Sequence, residues 1–289
     1  MPTEPKIEFP LVVPGTGWRR RANLALGYAA ATLMPARVKA IEAGTIGEHL
    51  SAADRLIVGA LVHRAIAREE PLDHLAYLHR HLWNGDHITT FHASAENRFD
   101  DWFLPYQAIV IDALEKDLAA QTPGQFHTLC EIGTGSGIVL NYLSRRLAKP
   151  GITTCIGLDL SPAQVAIDAQ RFPACRFIAA DACEWIPEHA GPGWIFFCCG
   201  GVLEYIPQAA LAKLFAHTVA NHAPARWVIV EPVDLAHDLV NDTKSRPFGF
   251  ESTWSHHYPH LLADAGMTVI YQHEIHINGM RWQLVIAGV

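Results

Sequence analysis

The sequence predicts an α/β protein: a doubly wound, mostly parallel sheet with an antiparallel last strand, preceded by a helical region. Three observations lead there. After residue 124 short apolar runs alternate with segments of helical period, as strands joined by helical crossovers do. The first such run, Thr128 to Glu131, opens into Gly133-Thr134-Gly135-Ser136-Gly137, a loop almost without side chains. Before residue 119 the apolar residues recur instead at helical spacing.

With 289 residues the chain can bury a full core in one large or two modest domains. Half the residues are hydrophobic and the formal net charge is -7, which argues against a nucleic-acid backbone or an anionic membrane as the main partner. Six cysteines, Cys130, Cys155, Cys175, Cys183, Cys198 and Cys199, lie in or beside strand-like runs with no C-x-x-C pair. They read as reduced thiols, and the cytoplasm is the expected compartment.

In chain order, residues 1 to 17 carry four prolines and two glycines and should form an irregular arm. Arg19-Arg20-Arg21 then precedes the apolar run Ala22 to Met34. That run is too short to span a bilayer and starts too late for a signal peptide. It reads as a helix that packs on the rest of the protein or on a second copy, giving a homodimer through the N-terminal helices. Ser51 and Asp54 form a capping box before Leu56, Ile57, Leu61, Val62 and Ile66. A helix should follow Pro71, a loop should cover Trp83 to Arg98, and a helix should run from Phe103 to Leu118. Residues 1–124 are thus expected to be an arm and helical cap or lid, and residues 125–289 the ligand-binding domain.

In that second part, strands are expected at His127 to Glu131, Thr154 to Asp159, Arg176 to Ala180, Trp194 to Cys198 and Trp227 to Glu231. Helices are expected at about Ile138 to Leu147, Pro162 to Arg171 and Gln208 to Asn221. A polar stretch, Asp234 to Trp254, leads to a helix at His257 to Ala265. Strands at Met267 to His273 and Arg281 to Ala287, joined through Asn278-Gly279, close the chain.

The glycine loop restricts the ligand. A dinucleotide fingerprint needs its third glycine where Ile138 stands, and Glu131 suits a phosphate badly. A cationic ligand with an ammonium and a sulfonium gains from that carboxylate, and S-adenosylmethionine fits. Asp159 closes the second strand where a carboxylate can accept both ribose hydroxyls, with Leu160 covering adenine. Asp181 closes the third strand and is placed to accept from the adenine amino group. The fourth ends in Cys198-Cys199-Gly200-Gly201, followed by Val202-Leu203-Glu204-Tyr205-Ile206-Pro207.

Together these residues resemble the class I S-adenosylmethionine-dependent methyltransferases over residues 126 to 289. The shared features are an E-x-G-x-G-x-G loop, acids closing the second and third strands, and a V-L-E-H-I-P-like stretch whose histidine is Tyr205 here. The resemblance implies a Rossmann-like fold. It assigns Glu131, Gly133, Gly135 and Gly137 to the methionine end, Asp159 and Leu160 to ribose and adenine, and Asp181 and Ala182 to the adenine edge. It sets Cys199 and Gly200 beside the ligand.

Methyl transfer from a sulfonium is an in-line displacement that asks the protein to align donor and acceptor and to exclude water. Tyr106, Glu204 and Tyr205 are the candidate catalytic residues on the acceptor side, and Trp102, Glu231 and Trp254 are further candidates to line it. A helical cap favours a small metabolite as acceptor. Histidines crowd two regions, His74, His79, His81, His87 and His92, then His256, His257 and His260. None falls in an H-E-x-x-H or facial-triad pattern, so no metal is expected.

A second resemblance, through Pro71-Leu72-Asp73-His74-Leu75 and Phe103-Leu104-Pro105-Tyr106, is to nicotianamine synthases, with azetidine-2-carboxylate synthases as related chemistry. It implies transfer or cyclisation of the aminocarboxypropyl arm with release of methylthioadenosine. Aromatic faces around the sulfonium would favour that route by cation-π attraction. A non-catalytic binding protein is the third alternative, since fold does not fix function.

Overall fold

Strands form from residue 128 onward because their apolar runs are covered on both faces by helices. The computed structural model describes residues 12–13, 16–43, 50–68, 70, 72–84, 87–249, 251–277 and 279–289. The arm expected over residues 1–17 falls almost wholly outside the described residues, as do Pro71 and Asn278. The structure divides into two compact units, Met1–Gly85 with Pro247–Trp254, and Asp86–Arg246 with Ser255–Val289.

The first unit holds α1 (Gly17–Leu33), α2 (Pro35–Glu42), α3 (Ala52–Arg68) and α4 (Asp73–Trp83). The capping box stands at the start of α3: the Asp54 amide donates to Ser51 Oγ at 3.2 Å and the Ser51 amide donates to Asp54 Oδ2 at 2.9 Å. Arg37 grips the same carboxylate through Nε and Nη2 at 2.6 and 2.8 Å, and this charged pair holds the Asp54 carboxyl down to about 2 against the cost of its burial. Gly27 lets α1 approach α3, since a Cβ there would strike the Leu56 carbonyl oxygen. Ile41, Ile57, Leu61, Leu75 and Leu78 form the core of this unit together with Trp254, which meets His79 edge-on at 5.6 Å.

The second unit begins with α5 (His87–Ser94), a π-helical segment (Phe99–Gln107) and α6 (Ile109–Ala119). Two expectations are corrected here. The segment Trp83 to Arg98 is not a loop throughout, because α5 occupies its centre with Ile88 buried beneath it. Its Thr and His content lowers helix propensity without forbidding a helix that packs. The next helix starts before Phe103 and is π-helical: Pro105 has no amide to give, and the Ala108 amide reaches back five residues to Phe103 O at 2.8 Å.

The sheet contains β1 (Thr128–Ile132), β2 (Thr154–Asp159), β3 (Arg176–Ala179), β4 (Trp194–Cys199), β5 (Ala225–Val233), β8 (Thr268–Ile277) and β9 (Met280–Gly288). The helices α7 (Ile138–Arg146), α8 (Pro162–Arg171), α9 (Ala182–His189), α10 (Gln208–Asn221) and α11 (Tyr258–Asp264) lie between strands, and β6 (Arg246–Phe248) and β7 (Thr253–Ser255) form a separate two-stranded sheet. The order is β3-β2-β1-β4-β5-β9-β8. The first five strands pair in parallel, while β9 runs antiparallel to both β5 and β8, as expected for the last strand.

Alternation sorts the side chains between two cores. Leu129, Phe197, Val228 and Ile286 face α6 and α7, and Cys130, Phe196, Trp227 and Val285 face α9, α10 and α11. Phe103 fastens the π-helical segment to the first face, with ring centroids 6.4 Å from Phe197 and 5.9 Å from Tyr142. Among the described residues, no helix is long and apolar enough to cross a membrane.

Candidate cofactor and acceptor site

The chain leaves β1 at Ile132 and crosses to the end of β2, where Gly133 N and Thr134 N both donate to Leu158 O, at 2.8 and 3.0 Å. Gly133, Gly135 and Gly137 all take positive φ, at 67°, 52° and 69°, which a side chain rarely adopts. At Gly135 space is also limiting, since a Cβ there would lie 3.0 Å from the His92 ring on α5. The loop therefore offers backbone rather than side chains to a ligand, beside α7.

Two carboxylates serve this loop. Asp159 Oδ2 accepts from Gly135 N at 2.9 Å and Oδ1 accepts from Ser161 N at 3.0 Å. Each oxygen keeps a second lone pair for a ligand hydroxyl. Burial raises the pKa of Asp159, and these amides pull it back. Glu131 is 2% exposed, its Oε2 accepting from Thr134 Oγ1 at 2.8 Å. Burial pushes its carboxyl up to about 8, with the Thr134 hydroxyl opposing. A buried carboxyl of this kind suits a cationic ligand, which repays its ionisation.

Asp181, expected at the adenine edge, also caps α9, its Oδ1 accepting from Cys183 N at 2.8 Å. Ala182 is buried at the first position of that helix, and Leu160 is half-buried just beyond β2. Cys199 is half-buried at the end of β4, and Gly200 is exposed with φ 83° and open space where a Cβ would stand. The structure thus gathers Glu131, the three glycines and Asp159 through direct contacts at the carboxyl ends of β1 and β2, where an open α/β sheet binds ligands.

The acceptor-side candidates are more dispersed. Glu204 and Tyr205 lie half-buried in a short 3-10 turn (Leu203–Tyr205), and Glu204 folds its carboxylate back over Gly201. Tyr106 is 50% exposed near the end of the π-helical segment, while Trp102 in the same segment holds the Arg98 guanidinium over its ring at 5.5 Å. Glu231 is fully buried and receives the backbone amides of Val202, Leu203 and Glu204, so it faces the turn and not a ligand. Trp254 belongs to the core of the first unit.

The stretch after β5 is fastened down. Asp234 N donates to Ser255 Oγ at 2.9 Å, and Ser255 Oγ donates to His237 Nδ1 at 2.8 Å. His256 Nε2 donates to Ile206 O at 3.0 Å, which leaves its Nδ1 to accept from Ser245 Oγ at 2.5 Å. Burial pushes the His256 imidazole down to about 3, so it is neutral and structural. Among the described residues, no group of three or more His, Cys, Asp or Glu side chains could hold a metal ion.

Two residues stand near the loop: His92, read in sequence only as one of a crowd of histidines, and Asp168, not singled out there. His92 sits against Gly135, burial and the nearby Arg98 charge lowering its pKa to about 4. Asp168 is fully buried on α8, accepting from Gln164 Nε2 at 2.9 Å, and burial raises it to about 7. The available signal was Gln164 and Asp168 four residues apart, which share one face of a helix.

Residues 129–224 match the family described as a methyltransferase domain. Trans-aconitate 2-methyltransferase of Escherichia coli strain 55989 is 29% identical over 165 residues, covering 53% of this chain and 62% of that protein. The chain therefore spans less than two thirds of the length of this curated relative. Among solved structures, an S-adenosylmethionine-dependent methyltransferase of Clostridium acetobutylicum aligns with a TM-score of 0.49 at 9% identity over 68% of this chain and 97% of that one. Magnesium protoporphyrin IX methyltransferase of Synechocystis PCC 6803 with bound S-adenosylmethionine aligns with a TM-score of 0.43 at 16% identity over 63% and 79%. Residues 129–224 therefore carry a methyltransferase domain.

Proposed function

We propose that this protein transfers the methyl group of S-adenosylmethionine to a small-molecule metabolite by in-line displacement. The observation that carries the reading is the direct linkage of the glycine loop to Asp159, beside the buried Glu131. The likeness to trans-aconitate 2-methyltransferase supports a small acceptor.

When bound, S-adenosylmethionine supplies a methyl group on a sulfonium that leaves as a neutral thioether. The work of this chain is to bind and align. Glu131 and the amides of the glycine loop hold the methionine end, Asp159 takes the ribose hydroxyls and Leu160 covers adenine. Asp181 and Ala182 border the adenine, with Cys199 and Gly200 beside the ligand. Tyr106, Glu204 and Tyr205 orient the acceptor and keep water out. The cap expected over residues 1–124 belongs to this proposal, with His92 of α5 the part seen against the loop. The exposed Trp18, Leu26 and Leu33 of α1 support a homodimer through the N-terminal helices, and six free cysteines support a cytoplasmic setting.

The test is to incubate the protein with S-adenosylmethionine alone and then with trans-aconitate or a metabolite extract, reading the nucleoside products by mass spectrometry. S-adenosylhomocysteine formed only with an acceptor supports methyl transfer. Methylthioadenosine from the cofactor alone would overturn it in favour of aminocarboxypropyl chemistry.

Cofactor binding is also expected to release a proton. Glu131 is mostly protonated at pH 7 when free, with its carboxyl at about 8, and an adjacent cation favours its ionised form. Affinity should then rise with pH and level off above about 8, falling as the pH drops. Calorimetry at pH 7 in buffers of different ionisation enthalpy checks this; zero net proton transfer removes Glu131 from the cation's surroundings.

A further inference from the structure

The amides that follow Gly201 converge on one carboxylate. Val202 N donates to both oxygens of Glu231 at 3.0 and 2.9 Å, and Leu203 N and Glu204 N donate to its Oε2 at 3.0 and 3.3 Å. Glu231 is 0% exposed and sits two residues before the end of β5, so a ligand in solution does not reach it. The far end of the turn is held through its carbonyl, since Ile206 O accepts from His256 Nε2 at 3.0 Å. Donors gripped from β5 and an acceptor gripped from residue 256 leave this turn one position.

That position bears on the glycine loop through the Val202 side chain. The methyl carbons of Val202 lie 2.5 and 2.6 Å from where a Cβ on Gly133 would stand, so Val202 rests directly on the first glycine. Gly133 N in turn donates to Leu158 O at 2.8 Å, one residue before Asp159. A continuous path runs from Glu231 through the Val202 amide and side chain to the loop that receives the cofactor.

We propose that Glu231 is a positioning residue for S-adenosylmethionine, acting through Val202 on Gly133; the inference rests on the cofactor reading above. Its role is to present acceptor oxygens to three amides at once. Glutamine has the same shape but keeps one acceptor oxygen, and with that oxygen at the Oε2 position its NH2 group stands against the Val202 amide where Oε1 accepted, which displaces Val202. A residue that only stabilised the fold would weaken cofactor binding independently of Val202. A residue acting through Val202 cannot do so.

The experiment is a double-mutant cycle on cofactor affinity, with the full-length protein titrated with S-adenosylmethionine in a calorimeter. Glu231→Gln is expected to weaken binding about tenfold or more and Val202→Ala about threefold, with the double variant no weaker than Glu231→Gln alone, because its second change removes a contact already lost. Losses that multiply in the double variant overturn the proposal, as does a Glu231→Gln affinity within about twofold of wild type. If Glu231→Gln does not fold, Glu231→Asp, which withdraws the carboxyl by one methylene, enters the same cycle under the same criteria. Wild-type protein that fails to bind the cofactor overturns both this proposal and the reading beneath it, whereas wild-type binding with a multiplicative cycle overturns this proposal alone.

Discussion

Replacing Asp159 with alanine should reduce affinity for S-adenosylmethionine by about two to four orders of magnitude. Each ribose hydroxyl donating to a carboxylate contributes roughly 1.5–3 kcal/mol, and two are lost together. The substitution also takes the partner from Gly135 N and Ser161 N, so the central glycine of the loop loses its tie to β2. Asp159→Asn keeps one acceptor oxygen and should fall between alanine and wild type. Calorimetric titration measures all three, and a loss below tenfold for alanine would remove the ribose from this carboxylate.

The second large effect concerns the fold. Arg226 on β5 pairs with Asp117 on α6, Nε to Oδ2 at 2.7 Å, with only 9% of either side chain exposed. Its guanidinium also lies over the Phe126 ring at 4.7 Å and donates to Ala225 O at 3.2 Å. Arg226→Met leaves the Asp117 carboxylate buried without its charge partner, and unfolding free energy should fall by about 3–5 kcal/mol. Adding Asp117→Leu should restore most of that loss, since two apolar groups of similar volume need no compensation. Urea unfolding of the two variants decides the matter: a single variant within about 1 kcal/mol of wild type would show that the pair is already solvated.

Much of this was legible in advance because the signals were periodic or stereochemical. The strand Thr154 to Asp159 and the helices Pro162 to Arg171 and Gln208 to Asn221 fall where apolar spacing sets them. Three alternating glycines after a strand dictated a bare loop, and all three take positive φ. The omissions share a different cause. α9 is short, holds Pro187 and depends on Asp181 as its cap, a residue assigned in sequence to the adenine edge. α5 is polar in composition and owes its place to the burial of Ile88. Glu231 looked like a group for an acceptor because spacing along one strand says nothing of which amides from a neighbouring turn will reach it. Asp168 was not singled out for the same reason, since a buried polar helix face is defined by what packs across it.

The position of β9 has a consequence for synthesis on the ribosome. This strand is inserted between β5 and β8, pairing Arg226 with Gly288 and Val233 with Arg281. The glycine loop and the strands beside it have emerged long before, yet the Trp227 to Val230 edge of β5 stays unpaired until β9 is translated. In that interval the nascent chain exposes an apolar edge able to pair with the same edge on another nascent chain. The interval of greatest aggregation risk therefore lasts until β9 has emerged, far along the chain from the glycine loop.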